Sequence, residues 1–226
     1  MLFLRFAILA ASLVLTTASA APTDPREGAE YTVLSVAQPS QTAGRKVEVI
    51  EFFMYHCPFC HALEPTLAQW VKKQGDNIIF KRIHIPYQGA SDPESHLFLT
   101  LQAMGKSEVY QAAVLDAVGE IVRRKRSETL TEQEILDVAH KLPGIDQAAF
   151  TDTWNSFGVK TLLNRLPGVV SNGYKVNSTP TVVVDGKYVT SPGQVSETTH
   201  TRDQRQLFQE TMQVLDALIT KVQRSK

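Results

Sequence analysis

Cysteine is scarce in this chain: its 226 residues contain only two, Cys57 and Cys60. A fold held together by disulfides usually has several pairs spread along the sequence, so a framework of that kind is excluded. A bridge between residues this close in sequence would remove little entropy from the unfolded chain, because the stabilisation grows with the length of the closed loop. The pair is therefore not explained as a structural crosslink.

Neither sign of charge is in excess: Lys and Arg total 23, and Asp and Glu also total 23. The sequence thus gives no electrostatic reason to expect a nucleic-acid partner. The one dense basic run, residues 123–126, is followed directly by Ser127 and Glu128 and is typical of a solvated helix face.

Long apolar runs are confined to the N-terminus, where Phe6–Leu15 follows a single charge, Arg5. That run is too short for a membrane-spanning helix, which needs about 20 apolar residues. Small residues at positions 18–20 complete the A-x-A pattern that a signal peptidase cuts. We expect residues 1–20 to be a cleaved signal peptide, and the mature protein, beginning near Ala21, to be soluble and exported.

Export leaves redox chemistry as the explanation of the pair Cys57 and Cys60. A zinc site needs about four ligands, and the neighbouring histidines His56 and His61 are the only further donors beside the pair. We therefore expect no metal at this position.

The residues around the pair predict a strand followed by a helix. Residues 47–55 are apolar on both faces apart from two glutamates, as in a central strand of a covered sheet. Pro58 stands where a helix tolerates proline best, which puts Cys57 at the helix N-terminus. Unpaired N–H groups of the first turn stabilise a thiolate there, so we expect Cys57 to be the exposed nucleophile with a low pKa. Cys60, one turn later on the same face, is expected to be the more buried resolving partner.

Other patterns predict two α/β halves separated by helices. Residues 31–34 and 78–85 predict strands, and residues 181–184 and 187–190 predict a hairpin around a short turn. Apolar spacing predicts the remaining helices. Thr131 and Glu134 form a capping box at the start of one of them. The others contain Phe150, Trp154 and Phe157, then Val159–Asn164, and finally Leu207 to Val222. The organisation is a β-α-β half and a β-β-α half with a helical insertion between them.

Several of these segments together resemble the DsbA family of periplasmic dithiol oxidases. They follow one another in a consistent order over the mature chain: Glu51-Phe52-Phe53, Cys57-Pro58-x-Cys60, Trp154-Asn155-Ser156-Phe157 with Val159-Lys160, Thr179-Pro180, and Val184-Asp185-Gly186-Lys187-Tyr188. The resemblance implies an α/β thioredoxin fold, a central mixed β-sheet flanked by helices, with an inserted α-helical domain. On that basis residues 21–88 and 166–226 form the two parts of the thioredoxin-like domain, and residues 89–165 form the insertion.

The resemblance also implies an activity, partners and a location. The chain is expected to be a periplasmic enzyme that gives a Cys57–Cys60 disulfide to reduced, unfolded exported proteins and is re-oxidised by a DsbB-like membrane quinone reductase. It is expected to act as a monomer without a cofactor. Two alternatives stay open: a disulfide reductase or isomerase with a less oxidising potential, and a non-enzymatic C-x-x-C module that binds metal or acts like a chaperone.

Further site residues follow from the same resemblance. Glu51 matches the family's buried glutamate below the resolving cysteine, where burial would raise its pKa and let it receive or relay the proton of Cys60. Glu48, in contrast, is expected near a partly exposed edge. Thr179 and Pro180 match a loop in which the bond between them is cis and the backbone of Thr179 receives an extended substrate.

Position 59 departs from the family pattern, which typically has histidine there. Phe59 can neither donate a hydrogen bond nor carry a charge beside the thiolate. We expect Phe59 and His56, as neighbours of the cysteines, to contact substrate. His56 and His61 are otherwise expected to be ordinary surface histidines.

Overall fold

The structure is a computed structural model that describes residues 24–41 and 44–225. The expected signal peptide and its cleavage site lie outside these residues. None of the helices in the described part of the chain has the length and the apolar character needed to span a bilayer.

A mixed sheet with the strand order β1-β5-β4-β2-β3 forms the centre of the fold. Its strands are β1 (Thr32–Val33), β2 (Val47–Phe53), β3 (Ile78–His84), β4 (Thr181–Val184) and β5 (Tyr188–Thr190). β2 pairs in parallel with β3 and antiparallel with β4, so it is a central strand, as its sequence predicts. The expectation that Glu48 is partly exposed is wrong: it is 1% exposed, and its carboxylate lies 2.6 Å from Nζ of Lys81.

Helices cover both faces of this sheet. They are α1 (Pro58–Gln74), α2 (Pro93–Ala103), α3 (Ser107–Lys125), α4 (Glu132–His140), α5 (Gln147–Trp154), α6 (Phe157–Gly168), α7 (Pro192–Thr199) and α8 (Gln204–Ser225). A π-helical segment, Val169–Tyr174, continues α6. Because α2 to α6 lie between β3 and β4, the architecture is a thioredoxin fold with a helical insertion, as the sequence predicts.

The helix boundaries differ from the sequence prediction at Phe157. α5 ends at Trp154, and Ser156 caps a new helix by accepting the N–H of Val159 at 3.2 Å. The prediction that Phe157 shares a helix with Phe150 and Trp154 is therefore wrong, and its side chain is 86% exposed rather than part of an apolar stripe. The apolar patterns also did not indicate α7, because it opens on the turn-forming residues Pro192 and Gly193.

The two faces of β2 contribute to two different apolar cores. Val47 and Val49 pack with buried residues of α1 and α8, whereas Ile50 and Phe52 pack with the helices of the insertion. Successive side chains of a strand alternate between faces, so Glu51 shares the face that α1 covers. This alternation directs a carboxylate toward the helix that carries the two cysteines.

Candidate active site

Cys57 is the N-cap residue of α1, as the sequence predicts. Its backbone is extended, with φ −74° and ψ 115°, and Pro58 opens the helix. The backbone N–H of Cys57 donates to the carbonyl oxygen of Met54 at 3.1 Å, which fixes the tight connection from β2. The sulfur therefore lies where the first-turn N–H groups have no partner within the helix.

Two contacts define the surroundings of the Cys57 sulfur. The backbone N–H of Cys60 donates to Sγ of Cys57 at 3.3 Å, and Sγ lies 3.6 Å from the carbonyl oxygen of Thr179, to which its S–H donates. A hydrogen bond from the Cys60 thiol, with smaller contributions from the side chain of Thr179 and the backbone N–H groups of Cys60 and Phe59, outweighs burial and lowers the pKa of Cys57 to about 6. A thiolate at Cys57 is thus favoured near neutral pH.

Cys60 has the opposite environment. Burial, the hydrogen bond to Cys57 and the negative charges of Cys57 and Glu51 raise the pKa of the Cys60 thiol far above its ordinary value. Both cysteines are free thiols in this structure, so it represents the reduced form. The expectation of an exposed Cys57 is wrong, since only 7% of Cys57 and 1% of Cys60 is exposed, although their order is as predicted.

Glu51 lies beneath the pair and is fully covered. The strand register places it opposite Arg82 on β3, whose Nε lies 2.7 Å from Oε2 of Glu51. Burial raises the pKa of Glu51 to about 7, and the Arg82 charge opposes that effect only in part. A carboxyl group that titrates near neutral pH beside a cysteine can hold or release a proton during disulfide exchange.

Arg82 joins this carboxylate to two others, which the sequence analysis did not identify. Its Nη2 lies 2.9 Å from Oε2 of Glu64 on α1, and its Nη1 forms an ion pair with Glu108 on α3. The available signal for Arg82 was a charged residue within a strand, next to Lys81, where burial would require a partner for the charge. The partners could not be read from the sequence because α3 is far away along the chain.

The bond between Thr179 and Pro180 is cis, which confirms the sequence prediction. Pro180 is buried at the start of β4, while Thr179 is partly exposed beside Cys57. The hydroxyl of Thr181 donates to the carbonyl oxygen of Ser178 at 2.8 Å and holds the loop from the other side. A carbonyl group of the backbone is thereby fixed next to the reactive sulfur.

Phe59 is 53% exposed and lies in the first turn of α1, between the two cysteines. Its backbone N–H helps to lower the pKa of Cys57, but its side chain has no donor or charge to add. The position next to the reactive sulfur therefore presents an apolar ring to the solvent.

His56 is not a surface histidine, so that expectation is wrong. Its side chain is 3% exposed, and its Nδ1 lies 2.7 Å from a carboxylate oxygen of Glu94 on α2. The ring also packs edge-on against Tyr87, at 5.0 Å between ring centres. His61, in contrast, is at the surface, where Nε2 lies 2.6 Å from Oδ1 of Asp116.

No group of three or more His, Cys, Asp or Glu side chains is arranged to hold a metal ion within residues 24–41 and 44–225. Residues 56–60, at the start of α1 and just before it, instead place a thiol with a lowered pKa beside a thiol with a raised pKa. That arrangement suits thiol–disulfide exchange.

Sequence comparison finds relatives along nearly the whole chain. A family profile described as "Thioredoxin" matches residues 43–203. The thiol:disulfide interchange protein DsbA of Burkholderia cepacia is 36% identical over 219 residues, which cover 97% of this chain and 96% of that protein. DsbA of Pseudomonas aeruginosa strain PAO1 is 34% identical over 189 residues, covering 82% and 86%.

Solved structures agree. The crystal structure of Pseudomonas aeruginosa DsbA has a TM-score of 0.71 at 31% identity and covers 89% of this chain and 96% of that one. An oxidoreductase DsbA from Neisseria meningitidis has a TM-score of 0.69 at 26% identity, covering 88% and 95%. The chain belongs to the DsbA family of thiol:disulfide interchange proteins and is a thiol–disulfide oxidoreductase.

Proposed function

We propose that this chain, in its oxidised form, donates a Cys57–Cys60 disulfide to reduced, unfolded proteins that have been exported to the periplasm. The observation that carries the proposal is the contrast between the two thiols: the pKa of Cys57 is lowered to about 6, whereas that of Cys60 is raised. Whatever stabilises the Cys57 thiolate stabilises the reduced enzyme, so the enzyme favours giving its disulfide away.

The reaction runs in two exchanges. A substrate thiolate attacks Sγ of Cys57, and the bond between Cys57 and Cys60 breaks, with the electron pair leaving on Cys60. Because Cys60 is stable only as a thiol, it takes up a proton, and Glu51, with a pKa of about 7, is placed to supply it. A second substrate thiolate then attacks the substrate sulfur of the mixed disulfide and displaces Cys57, a good leaving group at its low pKa.

The substrate is held beside Cys57 by backbone and apolar contacts. The partly exposed backbone of Thr179, preceding the buried Pro180, lies within contact distance of the sulfur and suits pairing with an extended peptide. The exposed ring of Phe59 provides an apolar surface next to it. Both features bind a peptide without recognising a particular side chain, which suits an enzyme with many different unfolded substrates.

The remaining parts of the cycle follow from the same assignment. The N-terminal segment directs export, the chain acts as a monomer, and a DsbB-like membrane quinone reductase restores the disulfide. A reductase or isomerase with a less oxidising potential would use the same two cysteines. The reduction potential of the pair and the direction in which the disulfide is transferred therefore distinguish an oxidase from these alternatives.

The test is a single-turnover assay. Oxidised enzyme is mixed with an equal amount of a reduced, unfolded protein without any other oxidant. Samples are quenched with acid at set times, and their free thiols are then blocked. The expected result is a substrate disulfide and an enzyme with two free thiols. An enzyme that stays oxidised, or one that only reshuffles disulfides of a scrambled substrate, would reject the oxidase proposal.

A further inference from the structure

The ring of His56, the residue immediately before the nucleophile, is fixed by a buried carboxylate. Oε1 of Glu94 lies 2.7 Å from Nδ1 of His56, and Oε2 accepts the backbone N–H of the same histidine at 3.1 Å. Glu94 comes from the first turn of α2, so a helix of the insertion reaches across to the active-site loop. A carboxylate on one ring nitrogen fixes the tautomer and makes the other nitrogen more basic.

The other ring nitrogen of His56, Nε2, has no hydrogen-bond partner among residues 24–41 and 44–225. The His56 side chain is 3% exposed, and Nε2 is not among the fully buried polar atoms that lack a partner, so this nitrogen keeps some contact with solvent. His56 lines a cavity of about 220 Å³ that Cys57 lines as well. A histidine with one ring nitrogen free of a partner therefore borders the space beside the reactive cysteine.

Several elements contribute the charged and titratable groups around His56. They are Glu94 on α2, Asp92 at its N-cap, His84 on β3, Arg123 on α3, Glu128 in the loop that follows, Tyr55 and Tyr87 in the adjoining loops, and Cys57 and His61 at the start of α1. Nε2 of His84 accepts the backbone N–H of Tyr55 at 3.1 Å and lies 3.5 Å from Oε2 of Glu94. Burial acts to lower the pKa of His56, but the hydrogen bond and the charge of Glu94 outweigh it, so that pKa is raised.

We propose that His56, oriented by Glu94, is the acid–base residue that takes the proton from each incoming substrate thiol. The inference deepens the proposed oxidase function and rests on it. Substrate cysteines have an ordinary pKa of about 8.5 and are mostly protonated at neutral pH, whereas only the thiolate attacks. Phe59 cannot serve as a base. His61 is also paired with a carboxylate, but Asp116 is 71% exposed, so water screens its effect on that ring. His56 is the histidine of this cavity whose orienting carboxylate is buried.

His56 receives a proton in each of the two exchanges. Nε2 of neutral His56 takes the S–H proton of the first substrate thiol, a bond forms between that sulfur and Cys57, and the bond between Cys57 and Cys60 breaks with its electron pair on Cys60. Glu51 gives Cys60 the proton that this sulfur takes up. His56 passes its proton to solvent water, takes another from the second thiol, which displaces Cys57 as a thiolate, and passes that one on as well, while Glu51 regains a proton from solvent. Two thiols become one disulfide, two electrons reside on the enzyme pair, and of the two substrate protons the net balance leaves one on Cys60 and one in solvent.

The test uses small thiols of different acidity on the oxidised full-length mature enzyme. Stopped-flow fluorescence gives the rate constant for its reduction by an acidic aromatic thiol, already ionised at neutral pH, and by an alkyl thiol that is mostly protonated. In His56→Gln the rate with the alkyl thiol should fall on the order of 100-fold, the usual size of general-base catalysis, while the rate with the aromatic thiol is retained. Glu94→Gln should show a smaller loss with the same selectivity.

Two further readouts separate this role from a structural one. The thiolate absorbance titration of Cys57 should be unchanged in His56→Gln, because the base acts on the substrate and not on the enzyme thiol. His140→Gln, an exposed histidine on α4, is the matched control and should leave both rates unchanged. Equal losses with both thiols, no loss with either, or a selective loss in His61→Gln instead of His56→Gln would overturn the proposal.

The wild-type enzyme gives a test that needs no variant. With alkyl thiols of different pKa, its rate should rise with pH and level off at one common midpoint, that of His56. A rate that keeps following the thiolate fraction up to the thiol's own pKa would also overturn the proposal. An enzyme that oxidises small thiols in this way but no unfolded protein would reject the proposed function and leave the acid–base assignment intact.

Discussion

The backbone N–H of Cys60 lies 3.3 Å from Sγ of Cys57, so the first turn of α1 itself provides a hydrogen-bond donor to the nucleophilic sulfur. The same turn buries Cys60 against Glu51 and away from solvent. One helical turn thus gives two identical side chains opposite acid–base properties, and the predictions below depend on that difference.

The two cysteines should behave differently when replaced. Cys57→Ser should abolish substrate oxidation, because the activated thiol is lost. Cys60→Ala should still attack a substrate disulfide and should accumulate mixed disulfides through Cys57, because nothing resolves them. Non-reducing electrophoresis and peptide mapping of the trapped adducts check this. Adducts that map to Cys60 in the wild-type background would reverse the assignment.

Glu51 should make folding stability depend on pH. Its pKa is raised from 4.5 to about 7, so between these pH values the folded chain holds a proton that the unfolded chain has lost. Stability therefore falls as pH rises through this window, and Glu51→Gln should remove the loss. We expect the variant to gain on the order of 2 kcal/mol relative to wild type between the two ends of the window.

Urea unfolding at a series of pH values measures this gain. Glu120→Gln, an exposed glutamate on α3, is the matched control and should leave the pH dependence unchanged. A constant difference between Glu51→Gln and wild type across the window would mean that Arg82 keeps Glu51 ionised throughout.

The reduced and oxidised forms should differ in stability in a pH-dependent way. The pKa of Cys57 in the folded reduced form is lowered from 9.0 to about 6. At pH values above the pKa of Cys57 in the unfolded chain, the thiolate therefore stabilises the folded reduced form fully. The stabilisation is lost as pH falls through the folded value. The unfolding free energy of the reduced form, minus that of the oxidised form, should therefore increase from about pH 6 to about pH 9. Denaturant titrations of both forms give this difference, and a flat profile would contradict it.

Phe59→His should raise the reduction potential. A histidine at this position could offer a charge or an N–H donor to the Cys57 thiolate, and such a bond contributes about 1.5–3 kcal/mol. Since about 30 mV corresponds to about 1.4 kcal/mol for this two-electron couple, we expect an increase of some tens of millivolts and a lower pKa of Cys57. Equilibration with glutathione measures it, with Phe59→Leu as the apolar control. An unchanged potential would mean that the contacts already made by the Cys57 sulfur, with Cys60, Thr179 and the first-turn N–H groups, determine it.

Local features of the site could be predicted from the sequence. Pro58 marks the first helical residue, so the N-cap position of Cys57 follows from the proline alone. The cis bond before Pro180 and the burial of Glu51 followed from the resemblance to a family and not from residue patterns.

Features that depend on contacts between distant segments could not be predicted. His56 is buried because Glu94, 38 residues away, binds both its ring and its backbone. Arg82 gathers carboxylates from α1 and α3 as well as from its neighbouring strand. Cys57 is more buried than a nucleophile is expected to be, because the loop at Thr179 covers its sulfur.

The central claim is that the Cys57 thiolate is stabilised in the reduced enzyme, and a thiolate absorbance titration tests it most directly. Absorbance near 240 nm is followed as the pH of the reduced wild-type enzyme is raised, with Cys57→Ser as the blank. We expect one thiolate to appear with a midpoint of about pH 6 and to be absent from the variant, while Cys60 stays protonated. A midpoint near the ordinary value of 9.0, or a transition that persists in Cys57→Ser, would contradict the account.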